Sequence, residues 1–361
     1  MKLCERAWLG DGRGSRGVAG FVLVVLATLL VVLSVEVVLQ VRQYQRTGQG
    51  LIAVMNDTTR YRIDADTGLK LLNPRATRPA FRINSLGFRS NAVAPGPSGK
   101  VRIVVVGAST VMGELAATNE SMFSARLERK LNEAAGGSRF EVVNAGIAGY
   151  RLDNQQTLID RVIRPLAPDW IVVLPGFNDV SDFCTRARSD APVPQRVPVF
   201  KMPDWWLSFN TVRRLTSFMR PPAPKSAAPV QGFDAAGYRQ RMDSLLRVAM
   251  TAAPHVLVAT NGRAFGAEQD ATTQARLARS ALSFANCLSP TGLIELYDSL
   301  NTVIEQSAKA AGVPLLDLAR RVPRGEAFFG DATHFSPRGE ELVSGLLFEA
   351  LAQAGLKVER P

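Results

Sequence analysis

The chain has 361 residues, 46% hydrophobic and 21% charged, which suits one large globular domain with appendages. No repeat is evident, and with two histidines and three cysteines it offers no compact His/Cys metal cluster. The formal charge is +11, and residues 1–40 hold four basic and three acidic side chains, so +10 remains beyond them. An excess of this size attracts anionic surfaces. No nucleic-acid recognition motif is visible, which leaves acidic polysaccharide or anionic lipid headgroups as partners, beside the plainer reading of a solvated basic surface.

Residues 18–39, VAGFVLVVLATLLVVLSVEVVL, are long and apolar enough to span a bilayer as a helix. The single acidic residue, Glu36, lies near one end, where it can reach the interface. A buried core helix rarely lacks a polar face for this length. A cleaved signal peptide is the closer rival, but no small-x-small site and no lipid-attachment cysteine follows the run, since Cys4 lies upstream. An uncleaved signal anchor is therefore expected. Lys2, Arg6, Arg13 and Arg16 precede the span and Arg42 and Arg46 follow it, which mildly favours a cytoplasmic amino terminus (residues 1–17) and an extracytoplasmic or periplasmic remainder.

Residues 40–99 follow as a polar stalk, a small β-appendage and a linker. Asp66-Thr67-Gly68 and Asn84-Ser85-Leu86-Gly87 are turn signals between short strand-like runs, and NAVAPGPSG (91–99) is the linker. From residue 100 to 356 strand and helix alternate. Strands are expected at 101–106, 140–145, 169–174, 255–260 and 313–318, and helices near 119–135, 153–164, 234–252, 291–311 and 337–354. Ser336-Pro337 supplies the cap and first-turn proline of the last helix. Alternation of this kind predicts a parallel sheet with helices on both faces.

Chemistry-bearing residues cluster just past the ends of these strands, where open parallel sheets bind ligands. They are Gly107-Ala108-Ser109-Thr110, Asn144 to Gly149, Gly176-Phe177-Asn178-Asp179, Thr260-Asn261-Gly262 and Asp331-Ala332-Thr333-His334. Acyl transfer needs a nucleophile, a base, a group that orients the base and donors for the oxyanion. Ser109, at a strand-to-helix turn, can be the nucleophile. His255 stands at the amino end of its strand, so elimination leaves His334 as base, with Asp331 to fix its tautomer. The N–H groups of Ser109 and Gly149 and the side-chain amide of Asn178 are candidate oxyanion donors. Each block alone is commonplace turn or cap chemistry; their joint occurrence, in order and each after a strand, carries the catalytic reading.

Residues 184–232 break the alternation. The segment is rich in proline and arginine and contains Trp205 and Trp206, which could stack on sugar rings in a lid or substrate wall, or simply pack on the domain. Cys184 and Cys287 fall near the same sheet edge. In an oxidising compartment they could form a disulfide, or they could remain two thiols.

The four blocks Gly107-Ala108-Ser109, Gly149, Gly176-Phe177-Asn178-Asp179 and Asp331-Ala332-Thr333-His334 resemble those of the SGNH (GDSL-type) hydrolase superfamily, over roughly residues 100–353. Segments like 61–90 precede the first block in membrane-anchored bacterial members. The resemblance implies a flavodoxin-like three-layer α/β sandwich around a five-stranded parallel sheet. It also implies Ser109 as nucleophile, Gly149 and Asn178 as oxyanion donors, His334 as base and Asp331 as its partner. Ala108 stands where the family has Asp; that Asp is not the triad acid, so the mechanism is unaffected, while bonding around the turn differs. A Gly-x-Ser-x-Gly elbow is missing, which argues against the α/β-hydrolase fold. The expectation is an esterase that needs no metal or cofactor and acts on O-acyl, chiefly O-acetyl, groups of envelope glycans. An O-acyltransferase, a non-catalytic glycan-binding module and a lysophospholipase or thioesterase are the alternatives.

Overall fold

Runs such as VRIVVVG and WIVVL are apolar on both pleat faces, so they are stable only when covered on both sides. The computed structural model describes residues 12–47, 60–181, 183–184, 209, 211 and 233–358. By contact the chain forms two compact units, residues 1–58 with 197–222, and residues 59–196 with 223–361.

In the first unit, α1 (Gly12–Thr47) contains Ala19–Arg42, a stretch long and apolar enough to cross a membrane. Glu36, near the carboxyl end of that stretch, is the acidic residue within it. Its carboxylate is buried and accepts hydrogen bonds from the N–H (2.8 Å) and hydroxyl (2.7 Å) of Thr211. A lone carboxylate on an apolar helix requires such donors.

In the second unit, β1 (Tyr61–Ile63) and β2 (Lys70–Leu72) form an antiparallel pair across the Asp66-Thr67-Gly68 turn. This appendage belongs to the same unit as the main sheet. The main elements follow as β3 (Val101–Gly107), α2 (Ser109–Met112), α3 (Phe123–Ala135), β4 (Phe140–Gly146), α4 (Leu152–Leu158), β5 (Trp170–Leu174), α5 (Ala235–Ala252), β6 (His255–Ala259), α6 (Ala271–Leu277), α7 (Arg279–Leu282), α8 (Pro290–Ala311), β7 (Leu315–Leu316), α9 (Leu318–Arg321) and α10 (Pro337–Gln353). The sheet order is β4-β3-β5-β6-β7, every pair parallel, with Gly107 level with Gly146 on one side and Leu174 on the other. This is the flavodoxin-like order, whose chain reverses direction across the sheet between β3 and β5. Helices α3 and α10 pack together, and α5 packs against both α4 and α8. Local signals set the helix ends. Ser289 and Ser336 accept from the N–H groups of Gly292 and Gly339 ahead of first-turn prolines, and Gly136 and Gly312 end α3 and α8 in the left-handed conformation.

Two expected elements are shorter than their apolar runs. The strand expected at 313–318 keeps only Leu315–Leu316, because Pro314 has no N–H to pair and Asp317 caps α9 by accepting from Arg320 N–H. The helix expected at 153–164 ends regular winding at Leu158, then passes through a π turn (Ile159–Ile163) and a 3-10 turn containing Pro165.

Candidate active site

Ser109 opens α2 directly after β3, at the point where the sheet changes direction. Ala108 before it is non-helical (φ −99°, ψ −149°), so the chain turns sharply and the first-turn N–H of Ser109 has no partner within the helix. The turn fits because its neighbours have no side chains. A Cβ on Gly107 would lie 2.3 Å from the Leu174 carbonyl oxygen, and one on Gly146 would lie 2.2 Å from Met112 N. Backbone on either side therefore fixes α2 against the sheet edge. Asn144, a polar residue in an otherwise apolar strand, adds a clamp. Its amide donates to Val111 O (2.6 Å) and Ser124 Oγ (3.0 Å), and its Oδ1 accepts from Gly146 N–H (3.0 Å).

The loop between α9 and α10 reaches the same point from the far end of the chain. His334 Nε2 lies 2.8 Å from Ser109 Oγ, and His334 Nδ1 lies 2.8 Å from Asp331 Oδ2. The other oxygen of Asp331 accepts from the N–H groups of Thr333 and His334, both at 2.9 Å. The loop is fixed in turn by Gly330 N–H on His334 O (2.9 Å), Ala264 N–H on Ala332 O (2.9 Å) and Ala332 N–H on Ser280 Oγ (3.1 Å). Burial alone would raise the Asp331 pKa, but the His334 ring and the two backbone donors outweigh it, and the net shift is downward. An ionised Asp331 facing Nδ1 holds the proton there and leaves Nε2 free to accept from Ser109. Such an arrangement can draw the hydroxyl proton onto the imidazole as Oγ attacks a carbonyl carbon.

Of the other expected residues, Gly149 is exposed with φ +82°, a conformation that favours glycine. Asn178 follows β5, and its amide nitrogen donates to Tyr150 O at 3.1 Å. An amide NH₂ has two protons, so one donor remains available. Gly176 before it is held by Asn261, whose Oδ1 accepts from Gly176 N–H (2.7 Å) and whose Nδ2 donates to Gly176 O (3.2 Å). Asn261 stood out only as part of a post-strand stretch; its position as a polar residue directly after an apolar strand was the available signal. Phe177 stacks on Tyr297 with centroids 3.7 Å apart, and burial raises the Tyr297 pKa.

His255 lies at the opposite edge, stacked on Trp170 at 4.6 Å. Cys184 and Cys287 are joined as a disulfide, Cα–Cα 5.4 Å, which ties the chain after Asn178 to the segment before α8. Trp205 and Trp206 lie outside the described residues. Among the described residues no group of three or more His, Cys, Asp or Glu side chains could hold a metal ion. Sequence reasoning missed Lys70, whose Nζ donates to Ala148 O, and Tyr150, whose hydroxyl donates to Lys70 O; a three-residue strand offers no periodicity that would single Lys70 out.

The model of the GDSL-like lipase/acylhydrolase family matches residues 105–342, from within β3 to within α10. The chain belongs to this family and is a hydrolase acting on ester bonds. Similar solved structures include an α/β hydrolase enzyme from the metagenome of Lake Arreo, Spain, at 14% identity and TM-score 0.46, covering 70% of this chain and 95% of that one. A lipase/acylhydrolase from Enterococcus faecalis is 18% identical at TM-score 0.46, covering 72% and 99%. An acetylxylan esterase from Geobacillus stearothermophilus is 15% identical at TM-score 0.45, covering 73% and 98%. No curated protein sequence matches this chain.

Proposed function

We propose that this chain is a membrane-anchored, extracytoplasmic serine esterase that removes O-acyl groups, O-acetyl above all, from glycans of the cell envelope. The observation that carries the reading is the pair of 2.8 Å contacts linking Ser109, His334 and Asp331. Ser109 Oγ attacks the ester carbon and its proton passes to His334 Nε2. The oxyanion is held by the N–H groups of Ser109 and Gly149 and by the second N–H of Asn178. As the C–O bond breaks, His334 gives the proton to the departing sugar oxygen, which leaves as a hydroxyl, and an acyl-enzyme remains. Water, activated by the same imidazole, then releases the acid and restores Ser109.

The location rests on residues 18–39 and the lysine and arginine distribution around them, with residues 40–99 as stalk and appendage and 100–356 as the hydrolase domain. The glycan preference rests on that location and on the +10 charge beyond residue 40, which draws the domain to anionic envelope polymers. The test is a panel of esters of graded acyl length, including O-acetylated acidic glycan, given to the full chain in detergent beside Ser109→Ala. Release of acetate from the glycan by the wild type alone is expected. Equal release by Ser109→Ala would sink the mechanism, and turnover confined to long acyl chains would sink the substrate assignment. Adding a sugar acceptor to the panel separates hydrolysis from acyl transfer.

A further inference from the structure

Lys70 lies on β2, outside residues 105–342 that the family model matches, yet it is bonded to the loop carrying Gly149. Its Nζ donates to Ala148 O at 2.7 Å. Its own carbonyl accepts from the hydroxyl of Tyr150 at 2.8 Å, so residue 70 grips the loop on both sides of Gly149. The Tyr150 carbonyl is in turn the acceptor for Asn178 Nδ2 at 3.1 Å. The two oxyanion donors that lie outside α2 therefore share one support.

The geometry of the peptide group gives this support a direction. The Ala148–Gly149 bond is trans, since the described chain contains no cis peptide bond. In a trans peptide the C=O and the next N–H point opposite ways in one rigid plane. Fixing Ala148 O on the ammonium thus fixes where Gly149 N–H points. The need is real at this position, because Gly149 is exposed and its φ of +82° belongs to a residue whose backbone is otherwise permissive. A charged donor also makes a stronger bond than a neutral one and polarises the amide, which strengthens the N–H on its far side. The ammonium has no carboxylate partner among the described residues; it lies 4.7 Å from the centre of the Tyr61 ring, a contact that holds a cation in place without neutralising it.

We infer that Lys70 is a positioning residue of the oxyanion hole, through which the amino-terminal β-appendage orients and polarises the Ala148–Gly149 peptide. The inference rests on the reading of Gly149 as an oxyanion donor. It makes the appendage part of the working site although it lies outside the matched family region.

The full chain in detergent is assayed on 4-nitrophenyl acetate as wild type, Ser109→Ala, Lys70→Met and Lys70→Arg. Met keeps the length and packing of the side chain and removes the donor. In Lys70→Met, kcat should fall about 10- to 100-fold, less than the roughly 100- to 1000-fold typical of deleting an oxyanion donor itself, with KM within about twofold. Lys70→Arg should recover most of kcat, and the rate of Ser109 labelling by a fluorophosphonate should follow kcat across the series. An active Ser109→Ala overturns the catalytic reading. An inactive Ser109→Ala beside a Lys70→Met of normal kcat, or one altered in KM alone, leaves that reading intact and overturns the role of Lys70. If Lys70→Met does not fold, Lys70→Cys is compared before and after alkylation by 2-bromoethylamine, which restores an ammonium with loss of bromide. Recovery of kcat at constant KM is expected, and a kcat that alkylation leaves unchanged overturns the inference.

Discussion

At the scale of single residues, the proposed site centres on a histidine held from both sides. His334 has Asp331 on Nδ1 and Ser109 on Nε2, each at 2.8 Å, and Asp331 also accepts two backbone N–H bonds from its own loop. The Asp331 carboxylate thus holds both the loop shape and the tautomer. Asp331→Asn keeps an acceptor for the backbone but can present N–H to Nδ1, which favours the wrong tautomer. We expect kcat to fall by about a thousandfold or more, with the thermal midpoint little changed, since members of such a group act as a unit. A variant equal to wild type in kcat would remove Asp331 from the mechanism. Ser109 was legible because it follows a strand, and Asp331 and His334 because their types suit the chemistry and His255 stands at the wrong end of its strand. Asn261 was visible as a post-strand residue but not as the partner of Gly176, because that pairing spans 85 positions.

At the scale of elements, α3 and α10 meet through a buried carboxylate. Glu340 is 2% exposed and accepts from Phe123 N–H at the start of α3. Burial pushes its pKa up to about 8 from 4.5, against the lowering effects of that hydrogen bond and of Arg89 and Arg126. A carboxyl whose pKa is raised on folding binds its proton more tightly in the folded state. Its contribution to stability is therefore complete below about pH 4.5 and is lost as pH rises through about 8. Glu340→Gln keeps an oxygen for Phe123 N–H and carries no charge. Thermal midpoints measured from about pH 5 to about pH 9 should show wild type losing stability relative to Glu340→Gln as pH rises. Parallel curves would mean that Glu340 does not titrate in this window. A helix from 119 was expected, but α3 begins at Phe123, because the Asn119 side chain is occupied accepting from Arg82 N–H and Arg89 Nε. Side-chain bonds of that kind compete with helical winding, and propensity alone does not register them.

At the scale of the whole molecule, the proposed arrangement is an anchor followed by an extracytoplasmic hydrolase. Protease added outside the inner membrane should digest the domain and leave a small protected amino-terminal fragment. A mature soluble protein beginning near residue 40 would contradict the anchor. The sequence by itself determined the class of fold, because both-face apolar strands alternating with amphipathic helices are local patterns that can only be buried as a covered parallel sheet. It also determined the candidates for the site, since Ser109, Gly149 and Asn178 follow strand ends and His334 is the histidine that does not stand at the amino end of a strand. Tertiary structure alone decided which partners meet: Ser109 with His334 across 225 positions, Gly176 with Asn261, Cys184 with Cys287, and Lys70 with the peptide before Gly149. The physical reason is one of range. Periodicity, caps and turn residues are written in a few neighbouring positions, whereas a bond from a three-residue strand to a loop 78 positions away leaves no local trace and exists only once the sheet has set both ends in place.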